Sequence, residues 1–233
     1  MAIILEKGKS HDLSISKIRV GLGWEPNEDK SDYPYDLDVS AFMLGTNHKI
    51  PSDDYLVFYN SEKRVSPDNL LFLEPQSEFK YPPFEEVENN EKKFVTSYEH
   101  WRRKTRPVDP EFSTYGSIDD MDGDVSEGGD DETMNIDLKK VAPHINQIII
   151  AVSIYEFSQR RQNFGQVDDS YISIYNEVSN SKEPLYKYEL NEDFSSCTAI
   201  EFVKIFRIGG QWKIEAMGIG HNGGLQDLLD SHM

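Results

Sequence analysis

An apolar run rich in β-branched residues, Ile148–Tyr155, constrains the fold more than any other part of this sequence. A run of this length and composition is typical of a strand that is covered on both faces. Tyr171–Tyr175 alternates, with isoleucines on one side, and Leu185–Leu190 and Ile200–Arg207 continue the pattern of short strands. The chain therefore has to build a layered structure in which at least one strand lies inside.

Turn signals between these strands favour antiparallel pairing. The pair Gly209-Gly210 follows Ile205–Ile208, and two consecutive glycines are typical of a tight hairpin because both positions can take positive φ. Short helices are predicted around Leu138–Val141 and Leu225–Leu229. Many short strands at turn-punctuated spacing predict an all-β fold, an antiparallel two-sheet β-sandwich with short helices, as a single domain over residues 1–233.

Two carboxylates stand two positions apart inside another strand-like run, Tyr35–Phe42. Side chains at i and i+2 of a strand share one face, so Asp36 and Asp38 point the same way. Carboxylates this close repel each other and shift each other's titration unless a positive charge lies between them. A hard cation such as Ca²⁺, which gathers about 6–8 oxygen ligands, would relieve the repulsion.

A second acidic group lies far along the chain, in a loop that begins with two glycines, Gly128–Glu132. Neither segment contains cysteine or histidine, which argues against zinc and copper. Acids that only solvate the surface are the alternative, but the density of two such groups favours Ca²⁺, and their number favours two ions. The candidate metal ligands are Asp36, Asp38, Asp54, Asn60, Asp68, Asn69, Asp130, Asp131 and Glu132.

Short motifs follow one another in a fixed order through most of the chain. The first are Val20–Trp24, Asp36-Leu37-Asp38 and Ser40–Phe42. The later ones are Val57–Asn60, Asp68-Asn69, Gly129–Glu132, Ile136–Leu138, Arg161–Val167, Tyr188–Asp193, Gly210–Lys213, Gly218–Gly220 and Gly223–Leu225. This series resembles the TerD-type tellurite-resistance proteins. The resemblance implies a calcium-binding β-sandwich of a cytoplasmic stress-response system, with no established enzymatic reaction and with other proteins of the tellurite-resistance system as partners.

The charge balance bears on the choice of partners. Aspartate and glutamate number 42 against 24 lysines and arginines, a formal net charge of −18. Such a surface repels nucleic-acid phosphates and anionic membranes, so neither is expected as a partner. A lone Cys197 excludes an internal disulfide, Met1–Leu5 is too short for a signal-peptide core, and no apolar run reaches the roughly 18 residues of a spanning helix. We expect a soluble, cytoplasmic protein without direct membrane insertion.

A long segment separates Asp68-Asn69 from the second acidic group, where the resembled family has a short connection. We interpret residues 78–128 as an insertion within the sandwich domain. Its first half is predicted to be helical because apolar residues recur near the helical period. These residues are Phe84, Val87, Phe94, Tyr98 and Trp101. Basic residues follow at Arg102–Arg106, and Asp119–Gly129 is predicted to be an acidic, glycine-rich loop.

The loop Arg160–Val167 combines two arginines with several amides. The amides of Asn163 and Gln166 are predicted to satisfy backbone groups at one end of the sandwich. The sequence also allows Arg160 and Arg161 to bind an anion or to contact a partner.

Two alternatives to a calcium-binding module come from other classes of function. Paired carboxylates can act as acid and base in a hydrolase, which needs a cleft lined by aromatic side chains. Trp101–Lys104 joins an aromatic ring to a positive patch, as in nucleic-acid-associated adaptors. We interpret the patch instead as a helix end that complements the macrodipole and nearby acids. The sequence thus predicts a protein that is not an enzyme and that acts through protein–protein contacts.

Overall fold

The computed structural model describes residues 2–27, 33–68, 70–71, 81–88, 91–119, 130–179, 182–189 and 194–233. Its strands are β1 (Ile3–Ile4), β2 (Ser10–Asp12), β3 (Lys17–Gly23), β4 (Leu37–Leu44), β5 (Leu56–Val57), β6 (Arg64–Val65), β7 (Phe84–Glu88), β8 (Glu91–Val95), β9 (Arg106–Pro107), β10 (Thr114–Gly116), β11 (Glu132–Asp137), β12 (Gln147–Ile154), β13 (Tyr171–Asn176), β14 (Tyr186–Glu189), β15 (Ala199–Ile208) and β16 (Gln211–His221). The α-helices are α1 (Ser97–Arg103), α2 (Phe157–Arg160) and α3 (Leu225–His232), and Asp53–Tyr55 forms a 3₁₀ turn.

Two six-stranded sheets make up most of the molecule. The first has the order β1-β14-β13-β3-β11-β10, and the second has the order β2-β16-β15-β12-β4-β5. Neighbours in both sheets are antiparallel except β1 and β14, which pair in parallel. The predicted all-β, antiparallel two-sheet sandwich is confirmed. Among the described helices, none has the length and apolar character needed to cross a membrane.

The hydrophobic core lies between the two sheets and is formed by alternate residues of their strands. In β4, Val39, Ala41 and Met43 face this core, whereas Phe42 faces the opposite side. There a second apolar cluster is covered by Leu228 of α3. β12 is consequently buried on both faces, as its apolar run predicts.

The predicted glycine hairpin and one predicted helix are confirmed. Ile208 pairs with Gln211 across Gly209 and Gly210, whose φ values are 58° and 84°. Positive φ at both positions is the conformation that favours glycine in a two-residue hairpin. The helix expected around Leu225–Leu229 forms the first part of α3.

The helix predicted around Leu138–Val141 is wrong, because this segment forms a turn after β11. The Lys140 N–H donates to the Asp137 carbonyl at 2.9 Å, and the Asp137 carboxylate accepts from Lys139 N–H at 3.2 Å. Local bonds of this kind compete with helix formation, and Pro143 disfavours a helical conformation in the residue before it.

The first half of the insertion is also not helical as predicted. β7 and β8 pair as an antiparallel hairpin, in which Phe84 opposes Val95 and Glu88 opposes Glu91. In the sequence the two strands are separated by Asn-Asn, and asparagine is a common turn residue. The apolar residues at near-helical spacing therefore belong partly to two strands. Helix begins only at Ser97, so the insertion is partly helical.

α1 is held against the sandwich by a buried tryptophan and a buried arginine. Trp101 and Arg64 are both 0% exposed. The Arg64 guanidinium donates to the carbonyls of Arg102 and Thr105, each at 2.7 Å, and to Thr105 Oγ1 at 2.6 Å. Burial lowers the pKa of Arg64 to about 10, which leaves it charged at neutral pH. A buried charge with several acceptors fixes the position of the helix against the sheet.

The carboxylate of Glu201 ties α3 to the second sheet. Its Oε1 lies 2.9 Å from His221 Nε2 and 3.5 Å from His232 Nε2, so it joins β15, β16 and the end of α3. Burial raises the pKa of Glu201, but the two histidines outweigh burial and hold it below the ordinary 4.5.

Glu201→Gln is therefore expected to destabilise the fold at neutral pH by about 1.5–3 kcal/mol. Because the folded-state pKa is lowered, the contribution of the carboxylate is present above the ordinary value of 4.5 and is lost as the pH falls through the lowered value. Denaturant unfolding of both proteins at a series of pH values should show the two curves converging at acidic pH. Glu215→Gln, which breaks a partly exposed pair with Lys204, should cost less than about 1 kcal/mol. A constant difference between Glu201→Gln and the wild type down to acidic pH would contradict this role.

Candidate metal centre

Three carboxylates from separate parts of the chain converge at one end of the sandwich. Asp38, Asp119 and Glu132 each place one oxygen so that all three oxygens lie within 4.8 Å of one another. Asp38 is 3% exposed and Glu132 is 4% exposed, and Asp119 is partly buried. We refer to these three residues as the acidic cluster. Such close, buried acids need a compensating positive charge.

The short partner strand of β4 makes room for the acidic cluster. β5 pairs with β4 only at Ala41 and Phe42, so the preceding residues of β4 have no strand beside them on that edge in the described chain. Glu132 reaches this edge from the other sheet, where its Oε2 accepts a hydrogen bond from Val39 N–H at 2.6 Å. A backbone donor thereby fixes the Glu132 carboxylate beside Asp38.

Asp119 belongs to the site but is not among the metal ligands predicted from the sequence. Gly116 of β10 pairs with Met134 of β11, and Ser117 N–H donates to the Thr133 carbonyl at 2.8 Å. Continuing this antiparallel register brings residue 119 beside the start of β11. No local spacing relates Asp119 to Glu132, so the only available signal was the pairing of β10 with β11.

Burial and repulsion oppose ionisation of the acidic cluster. Burial raises the pKa of Asp38 well above its ordinary value, and the charges of Asp36, Asp119 and Glu132 add to the rise, against a weaker attraction from Arg160. Burial also raises the pKa of Asp119. The ionised cluster is costly in the absence of a further positive charge.

Arginines and tyrosines enclose the acidic cluster. Arg64, Arg103 and Arg102 counteract the effect of burial on the pKa of Asp119. A cavity of about 30 Å³, enough for one or two atoms of the size of a water or a metal ion, adjoins Asp38 and Asp119, and Glu132 lines a second cavity of about 10 Å³. The lining residues of the larger cavity are Asp36, Asp38, Tyr59, Lys93, Glu99, Arg102, Arg103, Asp119 and Tyr155. Burial, followed by nearby carboxylates, raises the pKa of Tyr155 to about 12.

Asp36 lies next to the acidic cluster but has an arginine partner. Its Oδ2 is 3.3 Å from Arg160 Nη1, and both side chains are buried. Asp36 and Asp38 share a face of the chain, as their spacing predicts. Arg160, for which the sequence predicts no single role, thus supplies a positive charge at the edge of the cluster. The amides of the same loop bond backbone as predicted: Asn163 Oδ1 accepts from Gly165 N–H at 2.9 Å, and Gln166 Oε1 accepts from Asn163 N–H at 2.8 Å.

The acidic triplet at residues 130–132 is divided among three places. Asp130 is wholly buried and forms an ion pair with Arg19, and Tyr175 donates to it at 3.2 Å. Asp131 accepts from the N–H of Trp24 at 2.9 Å. Asp130 and Asp131 precede the first residue of β11, so strand alternation does not fix their directions, and each takes a different partner. In the described structure, Glu132 is the member of the triplet that joins the acidic cluster.

The remaining predicted ligands lie outside the acidic cluster. Asp54 is half-exposed and lies 3.6 Å from Lys63 Nζ. Asn60 Oδ1 accepts a hydrogen bond from Arg102, and Asp68 is exposed in a turn. Asn69 lies outside the described residues.

The donor set of the acidic cluster fits a hard divalent cation. All three groups are carboxylates, the ligands that Ca²⁺ and Mg²⁺ prefer. Ser40 lies on the same face of β4 as Asp38, and its buried Oγ has no hydrogen-bond partner in the described part of the chain. A site of oxygen donors without histidine or cysteine disfavours zinc and copper.

Comparison with known proteins places this chain in a family. The model of the TerD domain matches residues 1–74 and 110–232. General stress protein 16U of Bacillus subtilis (strain 168) is 31% identical over all of this chain and 97% of its own length. Tellurium resistance protein TerD of Serratia marcescens is 30% identical over 98% of this chain and 95% of its own.

A solved structure agrees with this relationship at the level of the fold. The crystal structure of a homologue of telluride resistance protein (TerD) from Streptomyces coelicolor A3(2) superposes with a TM-score of 0.58. It covers 94% of this chain and 96% of its own, at 15% identity. The family model leaves out residues 75–109, which contain β7, β8 and α1, and it includes Asp38, Asp119 and Glu132. Because the family model matches most of the chain, this chain belongs to the TerD family.

Proposed function

We propose that this protein binds Ca²⁺ at Asp38, Asp119 and Glu132 and works in tellurite and stress resistance by contacting other proteins. The observation that carries the proposal is the convergence of three carboxylate oxygens within 4.8 Å at a mostly buried position. The names of the relatives, a general stress protein and a tellurium resistance protein, support the choice of system.

The chemistry of the acidic cluster supports Ca²⁺ among divalent cations. Glu132 is oriented by the Val39 N–H, so one of its oxygens is held while the carboxylate can still face a cation. Asp119 follows β10 rather than lying within it, and a ligand of this kind adapts to the irregular geometry that Ca²⁺ accepts. Mg²⁺ demands near-ideal octahedral ligands and dehydrates reluctantly, which disfavours it in a cavity of about 30 Å³.

Action through protein contacts, without catalysis and without nucleic acid, is the second part of the proposal. The bonds of the basic residues of α1 argue against nucleic-acid binding. Arg103 donates to Glu86 at 2.8 Å and to Glu99 at 3.0 Å. Arg102 donates to Asn60 and lies 5.8 Å from the Tyr59 ring. Side chains engaged in this way are poorly placed to bind phosphates. With a formal net charge of −18, the surface also suits a protein partner better than a nucleic acid.

Thermal unfolding of chelator-stripped protein tests the metal site. An ion that binds only the folded state adds about 2.7 kcal/mol at 100 times its dissociation constant, so the melting temperature should rise with Ca²⁺. The rise should be much smaller with Mg²⁺. Asp68→Asn, which removes an exposed acid outside the acidic cluster, should keep the full response. Equal melting temperatures in chelator and in excess Ca²⁺ would overturn the proposal.

A further inference from the structure

The part of the chain that the family model leaves out forms a wall of the cavity at the acidic cluster. β7, β8 and α1 make one unit, which we call the arm. Within it, Arg103 joins Glu86 of β7 to Glu99 of α1. Lys93, Glu99, Arg102 and Arg103 line the cavity from the side of the arm. The arm therefore presents more positive than negative charge to the carboxylates.

Arg102 is the arm residue whose charge is least compensated nearby. Its guanidinium donates to the neutral amide of Asn60, and its buried Nε has no hydrogen-bond partner among the described residues. Arg103, in contrast, already has two carboxylate partners inside the arm. Arg102 and Asp119 line the same cavity, and the charge of Arg102 attracts the ionised Asp119, after the larger effects of Arg64 and Arg103.

A divalent cation at the acidic cluster would weaken this attraction. Its two positive charges would offset two of the three negative charges of the ionised cluster and would lie close to Arg102. In a partly buried site such interactions are screened less than at the surface. Among the remaining contacts of the arm, the burial of Trp101 does not depend on the charge of the cluster. Arg64, which donates to the Arg102 carbonyl, is itself attracted to Asp119.

We propose that the arm is a metal-responsive element in which Arg102 is one of the counter-ions of the acidic cluster and a bound divalent cation partly takes over this role. The arm is docked most firmly in the metal-free protein and loosens when the metal binds. Metal occupancy is thereby converted into a change at the surface of the molecule, on a segment that the family model leaves out. This inference rests on the proposed metal site.

Calorimetric titration of the chelator-stripped full chain with Ca²⁺ tests the competition. If the metal weakens arm docking, then by linkage weaker docking tightens metal binding by the same factor. The Arg102→Gln variant should therefore bind Ca²⁺ with an affinity at least about fivefold higher than that of the wild type. Lys104→Gln is the matched control, because Lys104 is an exposed residue of the same basic run and does not line the cavity. Its affinity should stay within about twofold of the wild type, as is usual for a distant exposed charge.

Hydrogen exchange of the unaltered protein gives an independent readout. Amides of α1 and β8 should exchange about fivefold or more faster with saturating Ca²⁺ than in chelator, while amides of β12 should exchange more slowly as the fold is stabilised. Exchange in the arm that slows together with β12, or stays the same, would overturn the inference.

The outcomes separate the two proposals. If the wild type shows no heat of Ca²⁺ binding and no thermal shift, the metal site itself is wrong. If Ca²⁺ binds but Arg102→Gln binds it no more tightly than Lys104→Gln, the site stands and the metal-responsive arm is wrong. Tighter binding by Arg102→Gln together with faster exchange in the arm supports both.

Discussion

Trp101→Ala should lower the free energy of unfolding by about 3–5 kcal/mol, the usual cost of truncating a fully buried aromatic side chain. For a chain of this size, a loss of that magnitude corresponds to a fall in melting temperature of about 6–20 °C. Trp101 is 0% exposed although it belongs to the segment that the family model leaves out. Its cavity would open beside Arg64, whose guanidinium bonds the backbone at Arg102 and Thr105.

Phe94→Ala is the matched control, because Phe94 is an aromatic residue of the same arm that is 63% exposed. Its truncation should change the free energy of unfolding by no more than about 0.5 kcal/mol. Denaturant melts monitored by far-ultraviolet circular dichroism would compare the two variants. If Trp101→Ala costs no more than Phe94→Ala, the arm does not share the stability of the sandwich and unfolds separately.

Elements whose signals are local were predictable from the sequence. The apolar run of β12 and the glycine pair between β15 and β16 each determine their structure over a few residues. The spacing of Phe84, Val87 and Phe94 predicts a helix where the structure has the β7–β8 hairpin, because so few apolar residues do not distinguish the two structures. Short segments of mixed charge and aromatic residues carry no decisive period. The Asn-Asn sequence between the strands was the better signal.

The candidate site depended on long-range pairing, which the sequence does not display. Asp36 and Asp38 were identified because they share a face of one strand. The triplet that begins at Asp130 reads as one acidic group in the sequence, yet only Glu132 belongs to β11, and the three residues have different partners. Asp119 comes beside Glu132 only through the register of β10 with β11. Metal ligands gathered from distant strands cannot be assigned without that register.

Asp38→Asn is expected to change metal affinity and metal-free stability in opposite directions. Removing a carboxylate ligand from the acidic cluster should weaken Ca²⁺ binding by about 100-fold, equivalent to about 2.7 kcal/mol. In chelator, the same substitution should raise the free energy of unfolding by about 1–2 kcal/mol, a magnitude typical of single stabilising substitutions. The reason is that burial and three neighbouring carboxylates disfavour ionised Asp38 more than Arg160 favours it.

Two measurements on the same protein decide this prediction. Thermal unfolding in chelator reports the metal-free stability, and calorimetric titration with Ca²⁺ reports the affinity. Asp54→Asn is the control, since Asp54 is a half-exposed acid paired with Lys63 outside the acidic cluster and should alter neither quantity appreciably. If Asp38→Asn lowers stability in chelator, Asp38 serves mainly as a partner of Arg160, and its carboxylate is structural. Gain of stability with loss of Ca²⁺ binding is the signature of an acid retained for the metal, because a side chain kept only to stabilise the fold cannot improve the fold by losing its charge.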